Sequence, residues 1–233
     1  MSDEFRDTVA VVTGASSGIG RATAERLAGE GARVVVFART RQALGSLAAK
    51  HGERMIAVAG DVSDPAAIEN LFAEAERRFG PCRILVNAAG MIDPRLMVQT
   101  SPEEWDRMFA VNVRGAFLAS RRALPSMLSA GGGAIVNVAS ISGVVGPEKF
   151  PGFVSYCASK AAVIALTEAL AVEIRERNVR VNCISPGSVD TKMWKRAGGG
   201  APADMTAEEV AEAVVFLASD RSRPMNGQNL RLW

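Results

Sequence analysis

The fold of this chain is decided by residues 8–20, TVAVVTGASSGIG, near the start of a sequence of 233 residues. The run Thr8–Thr13 is apolar between its two threonines, which is typical of a strand buried on both faces of a parallel sheet. Glycines follow at positions 14, 18 and 20, and the stretch from Ile19 to Glu30 predicts a helix that ends at Gly31. A glycine-rich turn at this point lets the backbone approach a pyrophosphate, whose oxygens the helix N-terminus can bind. We therefore predict a dinucleotide site, with a purely structural turn as the alternative.

The rest of the chain repeats this alternation of a short apolar run and a helix-length stretch. Further strands are predicted at Arg33–Ala38, Met55–Ala59, Ile84–Val86, Ala134–Ala139, Arg180–Ile184 and Asn229–Leu232. Further helices are predicted at Arg41–Lys50, Pro65–Phe79 with the cap Asp64, Pro102–Leu128, Ser155–Arg177 and Ala207–Ala218. The pattern predicts an α/β fold, a Rossmann-type doubly wound parallel sheet of about seven strands with helices on both faces. No linker interrupts it, so residues 1–233 are predicted to form a single domain.

The composition is that of an ordinary globular protein, with 48% hydrophobic residues, 22% charged residues and a net charge of +2. No basic block is present, so we expect neither a nucleic-acid nor a membrane partner. Residues 1–7 are charged and the apolar run after them is too short to target or span a membrane, which favours a cytoplasmic protein. The three cysteines form no CxxC pair and His51 is the only histidine. We therefore expect reduced thiols, no metal site and no catalytic histidine unless His51 supplies it.

The residues after the second and third strands bear on the choice of cofactor. An NAD site commonly has an acidic residue after the second strand, which bonds the ribose hydroxyls and repels a 2′-phosphate. Here Arg39 and Thr40 follow instead, and arginine offers a planar fork of donors suited to a phosphate. We predict NADP(H) in preference to NAD(H); the alternative is that Arg39 is surface charge and the site is indifferent. After the third strand, Asp61 is predicted at the adenine edge rather than as a helix cap, because Asp64 fills that role.

One constellation at the same predicted sheet edge can carry acid–base chemistry. Tyr156 is the only tyrosine, and Lys160 follows four residues later on the same face of a helix. A phenol is a poor base at neutral pH, and a nearby ammonium is expected to stabilise the phenolate and lower its pKa. Tyr156 is therefore predicted to exchange a proton with a carbonyl or alcohol oxygen. Ser140, at the end of the fifth strand, is predicted to hold that oxygen.

Two asparagines are weaker candidates for the same site. Asn87 begins a turn of small residues, Asn87–Gly90, which is predicted to line the cofactor after the fourth strand. Asn112 lies inside a predicted helix, where asparagine is a mediocre helix former. Its amide is a candidate to bind a water and to continue a proton path from Lys160, with a structural role as the alternative.

Together these motifs resemble the classical short-chain dehydrogenase/reductase family over nearly the whole chain, nearest in look to its 3-oxoacyl-thioester reductases. The matching segments are TGASSGIG at 13–20, Asp61-Val62, Asn87–Gly90, Asn112, Ser140, YCASK at 156–160 and Pro186-Gly187 with Thr191. The resemblance implies a catalytic tetrad of Asn112, Ser140, Tyr156 and Lys160. In it Tyr156 is the acid/base, Lys160 lowers its pKa and binds the nicotinamide ribose, Ser140 positions the substrate, and Asn112 holds the relay water.

The resemblance also implies how the cofactor is held. The segment from Pro186 to Thr191 is expected to embrace the nicotinamide, with the Val189 backbone on its carboxamide. Ala38-Arg39 resembles the NADP-preferring type, although Ser17 stands where a second basic residue is common. The expected cofactor-binding residues are Gly14, Ser16, Ser17, Gly18, Ile19, Gly20, Arg39, Thr40, Asp61, Val62, Asn87, Ala88, Ala89, Gly90, Tyr156, Lys160, Pro186, Gly187, Val189 and Thr191.

Three departures from the family pattern affect the substrate pocket or the subunit contacts. The interval between Ser140 and Tyr156 is lengthened and carries Pro147–Pro151. The substrate loop, residues 191–206, is shortened, which suggests an open pocket; within it the segment 196–203, RAGGGAPA, is expected to be mobile. The sequence ends Arg231-Leu232-Trp233, where the family usually has a Gly-Gly tail. Analogy alone is therefore a weak guide to the substrate.

The function predicted is NADP(H)-dependent reduction of a small-molecule carbonyl, a ketone or a 3-oxoacyl compound. One alternative is an NAD-dependent dehydrogenase of a sugar, polyol or steroid alcohol, and another is a cofactor-binding regulator without catalysis. Members of the family are mostly tetramers or dimers built through two long helices, so a homo-oligomer is expected through Pro102–Leu128 and Ser155–Arg177. Apolar residues on these helices include Phe109, Phe117, Leu166 and Leu170, and the alternative is that they simply face the sheet.

Overall fold

A computed structural model of the protein describes residues 4–146, 149–198 and 200–233. Three predicted features extend beyond those ranges: residues 1–3 of the charged start, Pro147 and Glu148 of the lengthened interval, and Gly199 of the substrate loop lie outside the described residues. The described chain folds into one domain, a seven-stranded parallel sheet with helices on both faces. The predicted fold class is therefore confirmed.

The strands follow the chain in the order expected for a doubly wound sheet. They are β1 Val9–Thr13, β2 Arg33–Ala38, β3 Met55–Ala59, β4 Ile84–Asn87, β5 Gly133–Val138, β6 Val179–Pro186 and β7 Asn229–Leu232. Their order in the sheet is β3-β2-β1-β4-β5-β6-β7, and all pairs are parallel. The winding reverses between β1 and β4, so a crevice opens there at the carboxyl ends of the strands.

The helices cover the sheet in two layers. They are α1 Gly18–Gly29, α2 Arg41–His51, α3 Pro65–Arg78, α4 Pro102–Phe109, α5 Gly115–Ser129, α6 Val154–Glu173, α7 Lys192–Ala197 and α8 Ala207–Ala218. One buried cluster joins α1, α2 and α8 to one face of the sheet through residues such as Leu27, Leu44 and Val210. A second cluster joins α3, α5 and α6 to the other face through residues such as Leu71 and Ala123.

The long helix predicted at Pro102–Leu128 is interrupted. A π-helical segment, Ala110–Arg114, separates α4 from α5, and the Gly115 N–H donates to the Ala110 carbonyl five residues earlier. The inserted residue changes which side chains face inward, and Asn112 at its centre is buried. Periodicity alone did not predict this change.

Helix α6 ends at Glu173, earlier than the predicted Arg177. Ile174 is buried just after it, and Asn178 adopts a left-handed conformation with φ of 54° immediately before β6. Asparagine tolerates that conformation better than most residues, so the chain can reverse there without glycine. On length and apolar composition alone α6 could cross a membrane, which is weak evidence because the core helix of a soluble protein passes the same test.

Candidate active site

A single open cavity of about 890 Å³ lies at the carboxyl edge of the sheet. Its walls come from the segments that follow β1, β2, β3, β4, β5 and β6. It brings together every predicted cofactor-binding residue except Asn87, together with Ser140, Tyr156 and Lys160 of the predicted tetrad. The topology explains this convergence, because the ends of parallel strands meet at one edge of the sheet.

The glycine turn after β1 is shaped by close backbone contacts. Gly14 has φ of +69°, and a Cβ placed on it would lie 2.6 Å from the Ala88 carbonyl oxygen. Gly18 has φ of +55°, and its Cβ would lie 3.0 Å from Thr191 Cγ2. Any larger residue at either position would be strained and would close the turn against its neighbours. Ser17 is the N-cap residue of α1 but its side chain makes no capping hydrogen bond, so N–H groups at this helix start are available to an anion.

Arg39 lies on the wall of the cavity beyond β2 and is exposed. Within the described ranges of the chain, its guanidinium makes neither a salt bridge nor a side-chain hydrogen bond. Its charge does reach Asp61, whose carboxylate oxygen Oδ1 accepts hydrogen bonds from Ser63 N at 2.9 Å and Ser63 Oγ at 2.7 Å. Burial alone would raise the pKa of Asp61, but the bonds from Ser63 and the charges of Arg39 and Arg107 lower it below its ordinary value. Asp61 is therefore an anion at neutral pH on the cavity wall.

Helix α6 places Tyr156 and Lys160 on the wall of the cavity. Lys160 Nζ donates to the Val138 carbonyl at 2.7 Å, and it lies 5.8 Å from the centre of the Tyr156 ring. Ser140 follows β5, and its Oγ accepts a hydrogen bond from Ser142 N at 3.1 Å. A Cβ on Gly143 would lie 2.5 Å from the Lys160 carbonyl carbon. The turn after Ser140 therefore lies directly against α6.

The electrostatics of this group differ from the expected activation of the tyrosine. Burial raises the pKa of Tyr156 to about 12, and a hydrogen bond with Ser140 only partly opposes that effect. Burial also lowers the pKa of Lys160 to about 8. In the free protein burial therefore dominates the pKa of Tyr156, and the role expected of Lys160 in lowering that pKa stays a prediction. The physical reason is that desolvation outweighs a lysine whose own charge is destabilised by the same burial.

Asn112 lies behind this group and does not reach the cavity wall. Its Oδ1 accepts from Met91 N at 2.8 Å, and its Nδ2 donates to the Met91 carbonyl at 3.0 Å and to Ser159 Oγ at 2.9 Å. Both amide hydrogens are thus committed to the protein, which leaves one acceptor position on Oδ1. A Cβ on Gly90 would lie 3.5 Å from Asn112 Oδ1 and 3.5 Å from Lys160 Nζ, so these two atoms flank the gap left by the glycine.

Asn87 is placed differently from the prediction that it lines the cofactor. It is the last residue of β4 rather than the first of a turn, and its Nδ2 donates to Asn137 Oδ1 at 2.9 Å and to Ser120 Oγ at 3.2 Å. Asn137 Nδ2 in turn donates to Thr167 Oγ1 on α6 at 2.9 Å. This buried polar row, Asn87–Asn137–Thr167, therefore ties the strands below the cavity to helix α6. Ala88, Ala89 and Gly90 line the cavity in its place.

The loop after β6 closes the nicotinamide end of the predicted site. Pro186, Gly187, Val189 and Thr191 all line the cavity. Val189 forms a parallel bridge with Met205, and Thr191 Oγ1 accepts from Trp194 N at 3.2 Å to cap α7. The predicted substrate loop thus contains a short helix, which its glycine-rich composition did not reveal.

Several cavity residues were not predicted from the sequence. They are Met91, Ile92, Asp93, Arg107, Val111, Ile141, Ser142, Phe150, Phe153, Met193, Trp194, Arg196, Asp204 and Trp233. Most lie on loops that connect the strands to the helices, where no periodicity indicates direction. The sequence carries one signal for these cavity residues. Two bulky aromatic residues, Phe150 and Trp194, lie in the lengthened and shortened segments.

Comparison with known proteins gives a consistent result. Residues 8–200 match the family model described as short chain dehydrogenase. The chain is 40% identical to a short-chain type dehydrogenase/reductase of Picea abies, covering 96% of this chain and 90% of that protein. It is 36% identical to an NAD-dependent glycerol dehydrogenase of Listeria innocua, covering 96% and 91%. The crystal structure of a 3-ketoacyl-(acyl-carrier-protein) reductase from Brucella melitensis, complexed with NADH, superposes with a TM-score of 0.89 at 33% identity, covering 97% of this chain and 96% of that one.

Proposed function

Because this chain belongs to the short-chain dehydrogenase family, and is an oxidoreductase that acts on alcohol or carbonyl groups with NAD(P), we propose that it is an NADP(H)-dependent reductase of ketones or 3-oxoacyl compounds. One observation carries the proposal: Ser140, Tyr156 and Lys160 lie in the same cavity as a glycine turn and an open helix start. The first group can handle a carbonyl oxygen, and the second can hold a pyrophosphate.

The residues around the cavity suit a dinucleotide. Gly14 and Gly18 leave space that a Cβ would fill, and Gly90 leaves a gap beside Lys160. The proposed cofactor-binding residues are those predicted from the sequence, with Asn87 acting through the polar row below the cavity rather than by contact. A bound NADPH would supply the hydride that the carbonyl carbon receives.

The protein's own residues then manage the proton. In the free site Tyr156 is protonated because its pKa is raised to about 12, which is the form that a reductase needs at the start of turnover. The Tyr156 hydroxyl gives its proton to the carbonyl oxygen as the carbon is reduced, and the Ser140 hydroxyl donates a hydrogen bond to the same oxygen. The product is the corresponding alcohol, and Tyr156 is left as a phenolate.

Lys160 and Asn112 are placed to restore that proton. The Lys160 pKa of about 8 makes its ammonium a ready donor close to neutral pH. A water in the gap beside Gly90 would lie between Lys160 Nζ and the remaining acceptor position on Asn112 Oδ1. We assign Lys160 to binding the nicotinamide ribose and to recharging Tyr156, and Asn112 to holding the relay water.

The preference for NADP(H) rests on Arg39. It follows β2 directly, lies on the cavity wall and is exposed. In the described part of the chain no salt bridge neutralises it, so its guanidinium is available to a 2′-phosphate. NAD(H) remains the competing cofactor, since Asp61 places an anion on the same wall.

A second function is kept because a specific relative favours it. The Listeria innocua protein is an NAD-dependent glycerol dehydrogenase and aligns with 96% of this chain. The alternative for this chain is therefore oxidation of a polyol, sugar or steroid alcohol with NAD. We also propose a cytoplasmic location, which the three free cysteines, Cys82, Cys157 and Cys183, support because unpaired thiols are typical of a reducing compartment.

The test is a Tyr156→Phe variant assayed with NADPH and a ketone. Loss of the phenol should lower kcat by about 100-fold or more, because general acid catalysis contributes on the order of 10²–10⁴. NADPH binding, followed by nicotinamide fluorescence, should survive unchanged. Wild-type turnover in the variant would disprove the role of Tyr156, and failure of the wild-type protein to bind either NADPH or NADH would disprove the dinucleotide site at the glycine turn. Cofactor binding without any turnover by the wild-type protein would favour the cofactor-binding regulator.

A further inference from the structure

The far half of the cavity, beyond Tyr156 from the glycine turn, is bounded mainly by apolar and aromatic side chains. Those that form this apolar half are Ile92, Phe150, Phe153, Met193 and Trp194. Ile92 and Phe153 are buried in one cluster with Tyr156, and Met193 packs against that cluster. The surface beside the Tyr156 hydroxyl is therefore apolar and rich in rings, which favours an apolar group on the substrate.

Two phenylalanines form a path of rings to the catalytic tyrosine. The centre of the Phe150 ring lies 5.6 Å from that of Phe153, which lies 6.1 Å from that of Tyr156 in an edge-to-face arrangement. The loop that carries Phe150 is anchored by Lys149, whose Nζ donates to the Ser142 carbonyl at 2.8 Å and also to the Val144 carbonyl. The lengthened interval between Ser140 and Tyr156 thus places the Phe150 ring at the opening of the cavity, and the Lys149 hydrogen bonds hold it in position.

Trp194 supplies a fixed ring from the shortened loop. Its indole Nε1 donates to the Ala201 carbonyl at 2.9 Å, and its backbone N donates to Thr191 Oγ1 at 3.2 Å. A Cβ on Gly198 would lie 2.6 Å from Trp194 Cε2, so the ring lies directly against that glycine. Because its only polar group is already satisfied, this indole offers a substrate an apolar face and no hydrogen bond.

The charged residues of this half are already engaged with other protein groups. Arg196 lies 3.7 Å from Asp93, and Asp93 is also 3.7 Å from Arg95. Asp204 Oδ2 accepts a hydrogen bond from Ser188 Oγ, and the backbone N of Asp204 donates to the same Oγ. Arg107 also lines the cavity, and its charge acts on Asp61. Among the described residues of the apolar half, no unpaired cation is available to bind an anionic substrate. Nor do these residues present a set of hydrogen-bond donors that could bind several hydroxyl groups.

From these contacts we infer that the carbonyl substrate carries an aromatic or similarly flat apolar group close to its reacting carbon. The inference rests on the proposed reductase function and narrows its substrate class. Phe150, Phe153 and Trp194 determine this specificity by packing on the flat group, while Ser140 and Tyr156 handle the oxygen. Polyols and small hydroxyketones would leave the rings uncovered.

The test compares two ketones that differ only in a phenyl group, benzylacetone and methyl ethyl ketone, with NADPH as cofactor. Burial of the phenyl ring should raise kcat/KM for benzylacetone by roughly 10- to 100-fold over methyl ethyl ketone. Dihydroxyacetone should be the poorest substrate. Calorimetric titration of both matched ketones into the protein with NADP⁺ gives a second reading of the same preference that does not depend on turnover.

Variants then assign the preference to the rings. Phe150→Ala, which changes a half-exposed side chain, and Trp194→Ala should each lower the ratio of the two kcat/KM values about three- to tenfold. Their kcat/KM for methyl ethyl ketone should fall by a smaller factor than that for benzylacetone, because methyl ethyl ketone has no ring to pack on the removed side chain. Trp194→Phe keeps an aromatic face and should retain most of the ratio. Val145→Ala is the matched control, because Val145 is 93% exposed on the same stretch of chain and does not line the cavity.

The outcomes separate the two proposals. Equal kcat/KM for the matched ketones, equal binding of both, or a ratio that Phe150→Ala and Trp194→Ala leave unchanged would each overturn the substrate inference while the reductase function stands. If neither ketone is reduced and Tyr156→Phe equals the wild type, the proposed function fails; tighter binding of benzylacetone would then still support the apolar half as an aromatic-binding site, and equal binding would overturn that as well.

Discussion

At the scale of single residues, the most informative group is Tyr156, because it is the only tyrosine in the chain. The absorbance of tyrosinate therefore reports this one side chain. We expect an alkaline titration of the free protein to place its midpoint at about 12, raised by burial, and above the ordinary value of about 10. Ser140→Ala removes a hydrogen bond that lowers the pKa, so its midpoint should be higher still. A midpoint below 10 would contradict the dominance of burial.

The same pKa values give the direction of the pH dependence of turnover. Reduction uses protonated Tyr156, so its rate should not fall on that account until pH approaches 12. Oxidation of the alcohol uses the phenolate, whose population rises about tenfold per pH unit below the pKa. The initial rate of oxidation should therefore climb steeply between pH 7 and pH 9.5, while that of reduction stays flat or falls as Lys160 loses its proton near 8. A falling oxidation rate over that range would count against Tyr156 as the base.

Lys160 should also make stability depend on pH. Its folded pKa is depressed from 10.5 to about 8, so the folded state binds this proton less tightly than the unfolded chain does. The free energy of unfolding should therefore fall, on this account, as pH is lowered from 10.5 towards 8 and change no further below 8. Lys160→Met should remove that slope. The check is urea unfolding of both proteins at several pH values across the window, and identical slopes would contradict the assignment.

Arg39 allows a sharp test of cofactor choice. Arg39→Ala should weaken NADPH binding by about tenfold or more, because a charge-assisted contact with a phosphate contributes roughly 1.5–3 kcal/mol. NADH binding should change by less than about twofold, since no phosphate is lost. Titration of both cofactors by nicotinamide fluorescence measures the two effects. Arg41→Ala is a fitting control, because Arg41 is also exposed but does not line the cavity.

At the scale of secondary-structure elements, the polar row Asn87–Asn137–Thr167 fixes α6 on the sheet. Thr167 Oγ1 accepts from Asn137 and donates to the Val163 carbonyl at 2.8 Å, entirely within the core. Thr167→Val would leave a buried amide hydrogen unsatisfied, which costs about 1–3 kcal/mol of stability. Urea unfolding should show that loss, whereas Thr40→Val removes an exposed hydroxyl that makes no cap hydrogen bond and should leave stability nearly unchanged. An equal effect of both substitutions would show that the row is unimportant.

The strands and most helices could be predicted from the sequence because their apolar runs match what the sheet buries. The helix starts at Pro65 and Ala207 were predicted correctly, and Asp64 caps the former as expected. The π-helical segment around Asn112 and the early end of α6 could not be predicted in this way. Both depend on tertiary packing: one inserted residue turns Asn112 inward, and the buried Ile174 ends α6 before the reversal at Asn178.

At the scale of the whole molecule, the predicted residues of the site converge because topology brings the strand ends to one edge. Ser140 was placed by that rule, whereas Tyr156 and Lys160 were predicted from their spacing of four residues on a helix and from the family resemblance. Asn87 shows its limit, since the rule gives the end of a strand but not the face to which a side chain points, and Asn87 bonds to Asn137 in the interior. Phe150 shows a second limit, because loops carry no period from which a direction can be inferred, and Trp194 lies in a short helix that the glycine-rich sequence around it did not indicate.

The proposed homo-oligomer makes a prediction for the assembled protein. Phe117 on α5 is 47% exposed and Val172 on α6 is 64% exposed. Leu170 instead packs against the core, in agreement with the alternative that apolar residues of these helices face the sheet. A charge placed on the exposed apolar surface would be costly to bury between subunits, so Phe117→Arg should reduce the mass measured by light scattering towards that of one chain. Val145→Arg, on an exposed loop, serves as the control. A wild-type protein that is already monomeric at micromolar concentration would refute the proposed assembly.

The contact between Gly18 and Thr191 has a consequence for how the protein folds during its synthesis. The glycine turn emerges from the ribosome early in synthesis, and the loop after β6 emerges late. At a synthesis rate of about 5–20 residues per second, roughly 10 to 30 seconds separate the two. During that interval β1 can pair with β2, but its other edge stays unpaired until β4 has been made. The cavity also lacks the side that the loop after β6 forms. The nascent chain therefore exposes an apolar strand edge that a chaperone can protect, and it acquires its cofactor only after most of its length has been made.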